Sequence, residues 1–326
     1  MCDIPSTSRG HTLLDGGQRR HYPIGVRDAA SARNDDHHPG VRRRIPYVVA
    51  TDATRTGHTD VMRYDWVSFT TDYGLSDGFV ATCHGVIARI APTARVIDVT
   101  HEVSPQDIRR GALVLAQTVR YLPPAVHLGV VDPGVGSARR GVVIEVAESV
   151  LVGPDNGLLL PAAEALGGVV AAYQLTAPEF RLPEVAATFH GRDIFAPAAA
   201  HLTLGVPPEA FGGAITDLVR LPDPVNETTE EGLRTEVIDV DHFGNVALAA
   251  SARELGMDHG TQVVLHIAGA DLTVPFLRTF TDAPPGEPLL LTDSAGHLAL
   301  ALNGGSAAAH YHIAPGTPLL LTREHL

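Results

Sequence analysis

Four polar clusters carry side chains able to do chemistry. Thr70-Thr71-Asp72-Tyr73-Gly74, with Asp77 just beyond, and Asp132-Pro-Gly-Val-Gly136, followed by Arg139 and Arg140, set carboxylates beside small turn residues. Gly153-Pro-Asp-Asn-Gly157 and Thr188-Phe-His-Gly-Arg-Asp193 add a carboxamide, an imidazole and a further guanidinium. A carboxylate or imidazole can take a proton, an arginine can stabilise developing negative charge, and glycine lets backbone approach a ligand closely. Each cluster also has a plainer reading. Asp72 can cap a following helix, Asp132 can shape a Pro-Gly turn, 153–157 is a turn by composition, and His190 is one of 17 histidines. Spacing alone names no reaction.

Other chemistries are excluded by what the chain lacks. All 24 basic residues are arginine, which removes Schiff-base lysines, Ser–Lys dyads and lysine-bearing phosphate loops. Cys2 and Cys83 are the only cysteines, too few for a disulfide framework or a cysteine zinc site. H-E-x-x-H does not occur, and Gly134 and Gly136 lack the third glycine of a dinucleotide fingerprint. His310 and His312 alternate as on one face of a strand, but no third ligand accompanies them, so no metal is expected. The net charge of −13 argues against a nucleic-acid partner. No apolar run reaches the ~18 residues of a membrane span, and Asp3, Arg9 and Asp15 interrupt any signal-peptide core. A soluble, cytoplasmic protein with no membrane partner is expected.

The elements that must position these clusters are legible from residue 66 onward. Trp66–Thr71, Arg95–Val99, Val126–Val131, Gly141–Val146 and Val150–Val152 read as buried strands. Between the first two, Gly78–Ala91 reads as a helix with Phe79, Cys83, Val86, Ile87 and Ile90 on one face. A second helix is expected over Pro105–Tyr121, capped by Ser104, with Ile108, Ala112, Leu115 and Val119 inward. Strands alternating with helices predict an α/β domain over 66–221, its mainly parallel sheet flanked by helices. The polar clusters then fall at strand ends, where open α/β sheets bind ligands. The polar stretch 222–232 reads as a linker. Over 233–326, short alternating runs separated by Gly, Pro and Asp predict a small C-terminal antiparallel β-barrel. Residues 1–65 hold ten Arg and eight Asp without an apolar period and read as a disordered extension.

Seven strings, in order, resemble the S-adenosylmethionine hydrolase family, also called S-adenosylmethionine hydroxide adenosyltransferases. They are TTDYGLSDGFV at 70–80, DVTH at 98–101, VVDPGVGSARR at 130–140, GPDNGLL at 153–159, FHGRDIFAP at 189–197, DHFGN at 241–245 and LNGGSAA at 302–308. The resemblance runs from about Val67 to the C-terminus and leaves 1–65 unmatched. It implies an N-terminal α/β domain, a C-terminal barrel and a homotrimer whose active sites lie between subunits. It also implies a water-activating triad at Asp132, Arg139 and His190. By the same match Asp72 holds the ribose hydroxyls, Asp77 meets the methionine ammonium, Phe243 and Asn245 contact adenine, Phe189 lines the substrate site and Ser294 meets the methionine carboxylate. S-adenosylmethionine is the small-molecule substrate, and no cofactor is implied.

The residue types suit that chemistry. A sulfonium leaves as a neutral thioether, so the site must supply a nucleophile in line with C5′ and sulfur rather than an acid. Water, with a pKa of about 15.7, needs a base or stabilised hydroxide. Asp132 and His190 can orient a water and take its proton, while Arg139 pairs with the carboxylate. The related fluorinating enzymes carry tyrosine at Asp132, serine at Gly191 and tryptophan at Gln106, although a chlorinating relative shares the glycine. A carboxylate at 132 would repel a halide, which favours hydrolysis over halide transfer. A non-catalytic nucleoside sensor would need Asp72, Phe243 and Asn245 but not the whole triad. Ala295 follows Ser294 where halogenating relatives have arginine, which weakens the assignment of a carboxylate contact there.

Overall fold

The computed structural model describes residues 63–267 and 269–323; the stretch read as an extension lies, up to residue 62, outside them. The first half is built on a six-stranded sheet. Its strands are β1 (Trp66–Thr71), β2 (Arg95–Thr100), β3 (Val126–Val130), β4 (Gly141–Glu145), β5 (Val150–Pro154) and β6 (Ala171–Gln174), in the order β2-β1-β3-β5-β4-β6. The β1–β2, β1–β3 and β3–β5 pairs are parallel, whereas β4 runs antiparallel to both β5 and β6. The central strands are apolar on both faces because both are covered. Helices α1 (Phe79–Ile90) and α4 (Ala196–Thr203) pack with Phe69, Val126 and Leu128 on one side. On the other, α2 (Ile108–Val119) and α3 (Leu160–Ala165) bury Ala112, Leu115, Val119, Ala162 and Ala163.

In this first half, the start of α2 and the place of Phe79 differ from the sequence reading. Helix α2 starts three residues later than expected: Asp107, not Ser104, is its N-cap, accepting from the Arg110 N–H. The chain cannot be helical at 105–106, because Gln106 takes a left-handed φ of 68° to hand its N–H to Asp72. Phe79 also leaves the inward face of α1 and stands 44% exposed, while Val80, Cys83 and Ile87 carry the packing.

The second half is antiparallel, with β8 (Leu233–Val240), β9 (Val246–Leu248), β10 (Gln262–Ile267), β11 (Ala270–Pro275), β12 (Pro288–Thr292), β13 (Leu298–Leu302) and β14 (Pro318–Arg323) in the order β11-β10-β14-β8-β9-β13-β12. The Phe276–Leu290 bridge brings the two outer strands together, so the sheet is a nearly closed barrel. Alternate residues of β8 point inward, joining Val246, Leu265, Phe276 and Leu300 in its core. Within the stretch read as a linker, β7 (Asn226–Thr228) pairs with β8. The His310/His312 strand is corrected: Ala307–Tyr311 is a helical turn capped by Ser306, and His312 ends it at φ 55°. The two imidazoles therefore do not share a strand face.

Candidate active site

Strands β1, β3 and β5 are neighbours and parallel, so their C-terminal ends deliver Asp72, Asp132 and Asp155-Asn156 to one edge of the sheet. Asp132 opens a turn that returns through Gly136, whose φ is 76°. A side chain at Gly136 would meet the Ala187 carbonyl oxygen at 2.3 Å, so only glycine lets this loop lie against the segment leading into His190. That contact closes the triad. Arg139 Nε donates to both carboxylate oxygens of Asp132 at 2.9 and 3.0 Å, and its Nη2 donates to Asp132 Oδ2 as well. The same Nη2 lies 2.8 Å from Nδ1 of His190. The Asp132 and Arg139 side chains are 6% and 12% exposed, a mostly dry ion pair open at one side. Burial, and after it the Arg139 charge, pushes the His190 imidazole below its ordinary pKa of 6.5.

His190 enters a π-helical turn, Gly191–Phe195, which runs directly into α4. Arg192 and Asp193 in this motif are scaffold: Arg192 pairs with the buried Asp193, which also accepts from the Ala186 N–H at 2.8 Å. Gly153-Pro-Asp-Asn-Gly157 is scaffold too. Asp155 pairs with Arg140, and the Asn156 amide donates to the Val131 carbonyl at 2.8 Å, bracing the residue before Asp132.

Two aromatic residues that the sequence did not single out flank the triad. Tyr73, Phe79 and Phe189 form a trio with ring separations of 5.2 to 6.0 Å, Phe189 meeting both others edge-to-face and Tyr73 tilted against Phe79. A side chain at Gly191 would stand 2.0 Å from the Tyr73 hydroxyl, so glycine there makes room for the phenol. Burial raises the Tyr73 pKa well above its ordinary 10.0, with smaller contributions from Cys83 and the Asp72 and Asp132 carboxylates, which keeps it a hydrogen-bond donor. Tyr73 lies inside the first polar cluster, but its contact with Gly191 joins residues far apart in sequence. Asp72 does not cap α1; it is half-buried and accepts from the Gln106 N–H at 2.8 Å. Asp77 is exposed in the loop before α1.

The remaining candidates stand apart. Phe243, Asn245 and Ser294 line a cavity of about 400 Å³ on the barrel that none of Asp72, Asp132, Arg139 or His190 borders. Asp241 shapes one wall, accepting from the N–H groups of Phe243 and Asn245 at 2.9 and 2.8 Å and from the Asn245 side-chain amide at 2.8 Å. Because a carboxylate only accepts, that amide presents its oxygen to the cavity. Phe243 is 74% exposed at the rim. A larger cavity of about 610 Å³ between α2 and the barrel contains none of the candidate residues.

One group of metal-ligating types was not anticipated. His84, Asp98 and His101 bring donor atoms within 4.8 Å of one another. Both Nε2 atoms face Asp98 Oδ1, at 2.8 and 3.0 Å. Ligands 2.0–2.1 Å from a tetrahedral ion would stand about 3.3 Å apart, wider than these separations; the His84 contact is a hydrogen bond, whereas the buried His101 Nε2 makes none. His101 instead bonds Thr71 through Nδ1 at 2.9 Å, and its carbonyl accepts from the Gly74 N–H at 2.7 Å. The DVTH string thus braces the Asp72 loop.

Comparison with known proteins finds relatives for both halves of the fold. Models of the SAM hydroxide adenosyltransferase N-terminal and C-terminal domains match residues 67–212 and 235–320. The (R)-S-adenosyl-L-methionine hydrolase of Salinispora arenicola (strain CNS-205) is 56% identical over 259 residues, covering 79% of this chain and 97% of the relative. The fluorinase of Actinoplanes sp. (strain N902-109) is more distant, 29% identical, with 79% and 97% covered. Among solved structures, an uncharacterized conserved protein from Thermotoga maritima aligns with a TM-score of 0.74 and 34% identity, covering 78% of this chain and all of that one.

Proposed function

The chain belongs to the SAM hydroxide adenosyltransferase family, and from that premise we propose that it hydrolyses S-adenosyl-L-methionine to adenosine and L-methionine. Relatives named for the (R) sulfonium lead us to assign that epimer as the preferred substrate. A water oxygen bonds to C5′, the C5′–S bond breaks with its electron pair going to sulfur, and the water loses a proton. The observation that carries the reading is Arg139 bridging Asp132, just past the end of β3, and His190, at the head of the turn leading into α4. A guanidinium has no acceptor, so His190 Nδ1 must accept and its proton sits on Nε2. In that tautomer His190 donates to the water and orients it. Asp132 keeps lone pairs beyond those used by Arg139 and is the group that takes the proton. A halide in place of water would face the Asp132 carboxylate, which disfavours halide transfer.

Asp72 supplies acceptors for the ribose hydroxyls, Asp77 for the ammonium, and Phe189 an apolar wall. Phe243 offers a stacking face and the Asn245 oxygen an acceptor for the adenine amine. The barrel cavity and the triad do not adjoin in one chain, which supports a trimer with each site completed by a neighbouring copy. We assign no metal or cofactor to the reaction. The protein acts on a small molecule, without nucleic acid or membrane, in the cytoplasm; no helix among the described residues is long and apolar enough to cross a bilayer.

Incubating the protein with each separated sulfonium epimer, with and without chloride, then resolving nucleosides, tests the proposal. Equal adenosine and methionine, unaffected by a chelator and fastest from the (R) epimer, is expected. A 5′-chloronucleoside, or dependence on an added divalent ion, would overturn it.

A further inference from the structure

The methionine end of the substrate carries a carboxylate, and removing a carboxylate from water demands a cationic or densely hydrogen-bonded partner. Ser294 offers one hydroxyl. Its neighbour Ala295 offers only a backbone N–H, already given to Asp293 at 2.8 Å. The barrel cavity contains one basic side chain, Arg278, in the turn after β11. It is exposed and has no ion-pair or hydrogen-bond partner among the described residues. The carboxylates sharing the cavity are engaged elsewhere. Asp239 pairs with Arg110, Asp241 holds Phe243 and Asn245, and Asp293 holds Ala295 and His297. The neighbouring Asp282 accepts from the Thr279 N–H at 3.3 Å, within a capping box that also sets the turn around Arg278.

From this arrangement we infer that Arg278 is the substrate-carboxylate anchor, binding the methionine carboxylate beside Ser294 and setting selectivity for a substrate that carries one. The inference rests on the function proposed above. A guanidinium suits the task because its planar pair of N–H groups matches the two carboxylate oxygens. It lies on the barrel side, away from the triad, so it acts on binding rather than on the chemical step.

The test compares wild type, R278A and R278K on S-adenosylmethionine and on its decarboxylated analogue, with adenosine affinity measured by calorimetry. For R278A we expect KM for S-adenosylmethionine to rise roughly 10- to 100-fold, with kcat changed far less. Turnover of the decarboxylated analogue and adenosine affinity should match wild type, so the preference between the two substrates collapses; R278K should retain part of it. An R278A enzyme that keeps the wild-type preference, or that loses both substrates equally, overturns the anchor while leaving hydrolysis standing. Wild-type protein that leaves S-adenosylmethionine intact overturns both.

Discussion

Arg139 Nη2 stands 2.8 Å from His190 Nδ1 while the same guanidinium clasps Asp132, so one cation sets the protonation pattern of both potential bases. A guanidinium cannot accept a hydrogen bond. The imidazole must therefore be neutral at Nδ1, and a second proton there would point at an existing positive charge. Its separation from Asp132 along the chain hides this coupling from local sequence inspection.

An acid limb in the pH–rate profile follows. Burial, then Arg139, lowers the His190 pKa from 6.5, so the midpoint of the acid limb of kcat/KM should lie below 6.5. Activity should fall along that limb as imidazolium forms. The linkage has the same sign: between the lowered folded value and 6.5 the unfolded chain binds more protons, so this contribution to stability is full above about 6.5 and fades as pH falls. An apparent acid pKa above 6.5, or a limb unchanged in H190N, would remove His190 from this role.

Asp132→Asn should abolish most turnover while leaving adenosine binding nearly intact. The change is almost isosteric, and the barrel cavity does not involve Asp132. Asn presents a poor base to the water and leaves Arg139 without its anionic partner. Loss of general-base help is typically about 10²–10⁴-fold, readable in single-turnover hydrolysis. Retained rate with lost adenosine affinity would make Asp132 a binding residue instead.

Gly191→Ala should slow hydrolysis by pushing Tyr73 out of the aromatic trio. The added methyl would stand 2.0 Å from the Tyr73 hydroxyl and 3.0 Å from its ring carbon. Displacement of about 1 Å next to reacting groups can cost on the order of 10²-fold. The Y73F/G191A double variant removes the hydroxyl and should recover part of the loss, a coupling that a mutant cycle reads directly. Additive effects would show that the clash is not the cause.

These couplings also mark where reading the sequence stops. Strand β1 was legible to the residue because, Ser68 apart, Trp66–Thr71 is all apolar or β-branched. Edge strand β6, Ala171-Ala-Tyr-Gln174, is short and mostly half-buried, with no periodicity to betray it. Ser104-Pro105 has the composition of a helix start, yet the Asp72–Gln106 hydrogen bond draws the chain into a left-handed residue and moves the cap to Asp107. The triad residue types stood out in their motifs. What brings them together, Gly136 against Ala187 and Gly191 against Tyr73, is tertiary contact between segments dozens of residues apart.

Two inactive variants should rescue each other if the site is shared between copies. Asp132→Asn disables the strand-end half, and Asn245→Ala removes the amide oxygen from the barrel cavity, which the triad does not border. In a cyclic assembly each site would join the strand-end half of one copy to the barrel half of the next. In a randomly mixed trimer of equal parts, about one site in four combines an intact Asp132 with an intact Asn245. Co-expressed variants should therefore recover roughly a quarter of wild-type activity, while separately purified proteins mixed without subunit exchange stay near zero. Gel filtration with light scattering would show the co-expressed species to be trimeric. Both mutations placed on one copy of the gene, co-expressed with wild type, should poison sites in the matching proportion. If the co-expressed pair gives only the sum of its residual activities, both halves of each site belong to one chain, and the barrel cavity must reach the triad by a domain movement instead.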